Sequence, residues 1–157
     1  MAEMLGQTGR MQINMGTTAV PVWKQFQNEV EVSIDLSAEF EDVSSKDTGT
    51  HKKKLKTLLD TTVSVTAYDD TAPTTNFISY KDVYDIATKT AGASGGTTGT
   101  GLGNGAYEFK FNSTTTGDFT LAFTAFIDKV STARKNMGKV EYNFNVQVTS
   151  LPTKTTV

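Results

Sequence analysis

From Val30 to Phe40 apolar and polar residues alternate for eleven positions without a break. Val30, Val32, Ile34, Leu36, Ala38 and Phe40 share one parity, and Glu29, Glu31, Ser33, Asp35, Ser37, Glu39 and Glu41 share the other. Successive side chains of an extended chain point to opposite faces, so this spacing predicts a strand with one face for a core and a second, strongly acidic face. At roughly 3.3 Å per residue the strand would run about 40 Å. That length is large for a chain of 157 residues.

The length fits one domain spanning residues 1–157, large enough to bury roughly 70% of its unfolded surface without covalent staples. With no cysteine in the chain, disulfide frameworks and thiolate metal sites are excluded. The first ten residues lack a charged region followed by an apolar run, and no window approaches the eighteen apolar residues of a membrane helix. The expectation is a soluble protein made in the cytoplasm, with no membrane insertion. A net charge of −2 gives no global attraction to nucleic acid. Abundant threonine, 10% aromatics and three prolines favour β-sheet with polar exposed faces.

Further strands are expected at 11–15, 20–26, 61–68, 106–111, 119–128 and 139–148, each bounded by turn-forming residues. Val140, Tyr142, Phe144, Val146 and Val148 alternate with polar residues almost as regularly as the first strand does. In 119–127 the apolar stripe is joined by Ala122 and Phe126 on the other parity, which predicts a central strand covered on both sides. One helix is expected at 80–89, where Val83, Ile86 and Ala87 recur at helical spacing behind a Ser79/Asp82 capping pair. Residues 91–105, with seven glycines, read as a flexible loop, and 150–157 as a frayed end or an arm that orders on a partner.

Chemistry is sparsely supported. His51 is the sole histidine, so no site can combine two imidazoles. Asp69 and Asp70 form a carboxylate pair beside Thr71-Ala72-Pro73, a context typical of a turn. Gly92 to Gly105 lacks the Gly-Lys-Ser/Thr ending of a phosphate loop. The basic run His51 to Lys56 is open to three readings: a solvated loop, a protein contact surface, or a phosphate-binding site without interleaved aromatics. Trp23 and Phe26 read as anchors of a core or interface. No catalytic residue, cofactor or metal ligand is assigned, and the chain does not read as an enzyme.

The order of segments now carries weight. A strand containing Ser33-Ile-Asp-Leu-Ser37 leads into Asp42-Val-Ser-Ser-Lys-Asp-Thr-Gly49, then a short basic linker, then Thr62-Val-Ser-Val-Thr-Ala-Tyr68. This arrangement resembles the major tail tube proteins of long-tailed, siphovirus-like bacteriophages, in which a strand, a Val-Ser/Thr-Ser/Thr-Lys-Asp turn and a returning strand precede one helix and two closing strands. The resemblance covers 20–151. It implies an all-β fold with one flanking α-helix, a β-sandwich or partial barrel. It further implies a structural virion protein whose hexameric rings stack into a hollow conduit for the genome. Partners implied are other copies of the chain, the tape measure, tail terminator and baseplate or tip proteins, and genomic DNA passing without sequence-specific binding. On this reading Glu29, Glu31, Asp35, Glu39 and Glu41 face the lumen. Ser44, Ser45, Lys46, Asp47, His51, Lys52, Lys53 and Lys54 form a loop between subunits.

The competing class is a secreted or surface β-sandwich that binds carbohydrate or protein, for which Tyr80, Tyr84 and Tyr107 would supply exposed aromatics. Other virion parts, such as a tail terminator or capsid decoration protein, are further alternatives. A hydrolase would need catalytic residues that the sequence does not offer.

Overall fold

The computed structural model describes residues 9–45, 49, 51–69, 76–88, 106–134, 136 and 138–157. The glycine-rich segment 91–105, Lys46, Asp47 and Asp70 lie outside the described residues. In chain order the elements are β1 (Gly9–Asn14), β2 (Trp23–Phe26), β3 (Glu29–Asp42), β4 (Lys54–Tyr68), β5 (Phe77–Ile78), α1 (Tyr80–Ala87), β6 (Tyr107–Ser113), β7 (Phe119–Ala133), β8 (Glu141–Val148) and β9 (Thr153–Thr156). The strands form one sheet in the order β3-β4-β8-β7-β6-β1-β2-β5, with β9 paired to β7. Its ladders are antiparallel except for β2 with β5.

The sheet curls back on itself. Phe26 on β2 packs on Phe144 of β8 with ring centroids 4.7 Å apart, although β7, β6 and β1 lie between those strands in the ladder. The concave faces so enclosed hold Met11, Ile13, Val63, Val65, Phe109, Phe123, Tyr142 and Val146. Val83 and Ile86 of α1 close the same core. Asn28 makes the corner from β2 to β3 with a left-handed φ of 51°, a conformation that asparagine tolerates better than most residues. The N–H of Tyr68 donates to its carbonyl at 3.1 Å.

The all-β fold with a single flanking helix, expected from the sequence as a sandwich or partial barrel, is observed among the described residues as one curled sheet. The Ser79 N–H donates to Asp82 Oδ2 at 3.1 Å, which fixes the first turn of α1 and places an acid at its positive end. Three expectations need correction. β4 begins at Lys54, not at Thr61, so half of the presumed basic loop is strand. β7 is hydrogen-bonded on both edges, yet Ala122 is exposed, so the sheet face opposite the core is uncovered there. The tail is neither frayed nor free in the subunit: Thr153–Thr156 pairs with Phe119–Ala122, and the Val157 N–H donates to the Asp118 carbonyl at 2.9 Å. Its Thr-Lys-Thr-Thr sequence has no apolar alternation because main-chain bonds, not burial, hold it.

A projecting two-faced hairpin as candidate functional site

β3 and β4 pair from Glu29↔Ala67 to Asp42↔Lys54, but β8 accompanies β4 only from Thr62 to Tyr68. Beyond that point, Leu36 to Asp42 and Lys54 to Thr61 continue as a two-stranded ribbon with no third strand among the described residues. An isolated two-stranded ribbon is marginal in water. This one also exposes large apolar side chains: Leu36 is 63% exposed, Phe40 59%, Leu55 57% and Leu58 63%. Large apolar side chains left exposed along such a ribbon mark an interaction site.

Two β-bulges decide which residues share a face. On β3, Glu29 pairs with Ala67 and Glu31 with Thr66, leaving Val30 extra. On β4, Leu58 pairs with Glu39 and Lys56 with Phe40, leaving Thr57 extra. Paired residues project to the same side of a sheet. The side continuous with the core therefore carries Leu36, Ala38, Phe40 and Asp42 from β3, and Leu59, Lys56 and Lys54 from β4. The opposite side carries Ser37, Glu39, Glu41, Asp60, Leu58 and Leu55. Each side of the arm thus combines apolar residues with charge of mainly one sign.

The acidic residues named from the sequence separate accordingly. Glu31, Asp35, Glu39 and Glu41 share the outer side and are exposed. Glu29 does not join them. The bulge at Val30 turns its carboxylate to the core side opposite Ala67, where Oε2 accepts the Met11 N–H at 3.0 Å. Burial pushes its pKa up to about 7, against the opposing pull of the Met11 N–H and the Arg10 charge. Next to Glu31 and Asp35 the outer side is polar and tied by side chains: Thr66 to Asn143, Ser64 Oγ to Asn145 Oδ1 at 2.9 Å, and Gln147 to Asp60.

At the tip, Ser44 Oγ accepts the Lys53 N–H at 2.8 Å, and Asp42 Oδ1 accepts the Ser44 N–H at 2.9 Å. Hydrogen bonds from the Ser44 side chain and main chain hold the Asp42 carboxyl below the usual carboxylate range. Ser45, His51, Lys52 and Lys53 are exposed there, and Lys54 stands on β4 opposite Asp42. Asp69 follows β4, its N–H donating to the Val140 carbonyl at 2.8 Å. Trp23 is half-buried beneath the Lys110 ammonium, 4.5 Å from its ring, and Phe26 is in the core. Of the three tyrosines named from the sequence Tyr84 alone is exposed, at 53%, while Tyr107 is in the core at 3% and Tyr80 leans on Tyr142, so the three do not form a shared exposed aromatic platform. Leu55, Leu58 and Leu59 were not anticipated as strand residues, because the bulge at Thr57 interrupts their alternation.

No protein-family model matches the sequence, and no curated protein is significantly similar to it. Solved structures are similar over nearly the whole chain. A chain from the tail of an empty gene transfer agent particle with C6 symmetry matches with TM-score 0.69 at 14% identity, covering 98% of this chain and 99% of that one. A chain of the virion of the native gene transfer agent particle matches with TM-score 0.68 at 13% identity, covering 98% and 99%. The SPP1 tail tube matches with TM-score 0.68 at 12% identity, covering 99% of this chain and 80% of that one. With sequence identities this low the likeness is one of architecture, and by that architecture this chain has the tail-tube fold.

Proposed function

We propose that the protein is a structural virion component, the major tail tube subunit. Its copies form six-membered rings that stack into a hollow conduit for the genome. The observation that carries this reading is end-to-end similarity to a chain from a C6-symmetric tail, combined with an arm whose apolar residues have no cover in the single subunit. The role asks no reaction of the chain and no cofactor, only repeated contact with other copies and, at the tube ends, with tape measure, terminator and baseplate or tip proteins. The β3–β4 arm, with its tip at Ser44, Ser45 and His51 to Lys54, supplies contacts between subunits. Glu31 and Asp35, on the outer side of the sheet body, line the channel. A carboxylate wall repels the duplex weakly at a Debye length near 8 Å, whereas a basic wall would hold it through counterion release.

The test is negative-stain microscopy with light scattering on purified protein over a wide concentration range, alone and with a tail-initiating complex. Rings or tubes of uniform diameter are expected. A species that stays monomeric in both settings defeats the reading.

A further inference from the structure

We infer that the partner of each arm is the arm of another copy, laid face to face so that the core-side face of one meets the outer face of the next. This inference rests on the tube reading above and specifies the contact.

The two faces are complementary in both charge and apolar content. One offers Phe40 and Leu59 with the ammonium groups of Lys54 and Lys56. The other offers Leu55 and Leu58 with the carboxylates of Glu39 and Glu41. Asp42 shares the basic face and stands opposite Lys54, yet its carboxylate is engaged chiefly by Ser44 at the tip, and on the acidic face Asp60 accepts from Gln147. The lysines and glutamates that remain lie at neighbouring pairings along one ribbon, Glu39↔Leu58, Phe40↔Lys56, Glu41↔Leu55 and Asp42↔Lys54. Stacking two copies in the same direction therefore brings Lys54 and Lys56 over Glu39 and Glu41 while the leucines and Phe40 exclude water between them. Like faces cannot do this, because acid would meet acid and ammonium would meet ammonium, at a cost of several kcal/mol. The contact is thus head to tail, using different patches on the two partners. Such contacts propagate and close into rings when the rotation permits. The bulge at Thr57 is what creates the segregation: in an unbroken ladder Lys56 would fall on the same side as Leu58 and Asp60.

Two charge-reversal variants test this, E39K/E41K and K54E/K56E. Each alone has two faces of like sign, and assembly should be lost at wild-type concentrations, the concentration required rising more than about tenfold. Mixed in equal amounts they should assemble, because each variant then offers its neighbour the opposite sign on both sides. The quadruple variant E39K/E41K/K54E/K56E should assemble alone. All four positions are on the projecting arm, so circular dichroism and thermal midpoints should match wild type and separate lost assembly from lost folding. If both variants assemble like wild type, or if the mixture stays dispersed where wild type assembles, the face-to-face pairing is wrong while the tube reading stands. If wild type itself never assembles, the tube reading fails and takes this contact with it.

Discussion

The Glu29 carboxylate accepts the Met11 N–H at 3.0 Å, a bond that joins β3 to β1 although β4, β8, β7 and β6 lie between them in the ladder. Because burial raises this carboxyl from an ordinary 4.5 to about 7, folding favours its protonated form. The unfolded chain releases the proton first as pH rises, so its stabilising contribution is full below about pH 4.5. That contribution is lost progressively up to about pH 7 and is level above that. The loss should be about 2 kcal/mol once partial solvent access is allowed for. Chemical denaturation at several pH values should show it, and Glu29→Gln, a neutral side chain that still accepts from Met11, should flatten this component. A variant as pH-dependent as wild type would count against it.

The contact between Phe26 and Phe144 exists only because the sheet folds back. Phe26→Ala should cost about 3–5 kcal/mol. A double-mutant cycle with Phe144→Ala should return a coupling of about 0.5–1.5 kcal/mol. Zero coupling would mean that the two halves of the sheet do not meet in solution.

Replacing Phe40 or Leu58 by serine should leave subunit stability within about 0.5 kcal/mol of wild type, since both side chains are exposed in the subunit. Assembly should fail in both cases. Amide exchange from Leu36 to Asp42 and from Lys54 to Asp60 should be fast in subunits and slow in tubes. Equal rates in the two states would remove the arm from the interface.

Glu31→Lys with Asp35→Lys places cations on the outer side of the sheet without touching core packing. Tubes should still form, and genome release from assembled particles should slow, with the effect fading as salt rises. Unchanged release from intact particles would place this side away from the channel.

Much of the fold was legible because burial imposes parity. β8 buries one face and β3 packs Val32 and Ile34 on the core, so alternation from Tyr142 to Val146 and around Val32 and Ile34 marks both the strands and their faces. Parity fails where the ladder gains a residue. Glu29 reads as one of the acidic row, yet the unpaired Val30 turns it inward, and nothing in Asn28-Glu-Val-Glu31 distinguishes a bulge from regular alternation. β4 was hidden over Lys54 to Asp60 for two reasons: the segment is exposed in the subunit, and Thr57 breaks its rhythm. β9 and β5 were invisible because main-chain pairing with β7 and β2 holds them, with too few apolar residues to signal a strand. The faces of the arm follow from residue-by-residue pairing, information that a single sequence does not carry.

Val30 and Thr57 are also the two positions in the hairpin where a residue can be removed with every other pairing kept. A bulge adds local right-handed twist and bends the strand that contains it. Deleting Thr57 would therefore change the twist of the arm between the Glu39 and Phe40 pairings, and deleting Val30 the start of β3 at the far end of the hairpin, while the rest of the ladder stays intact. The twist of the outer half of the arm, and with it the curvature of anything assembled from such arms, is separable from the chemistry the arm carries. It lies within reach of the loss of a single codon.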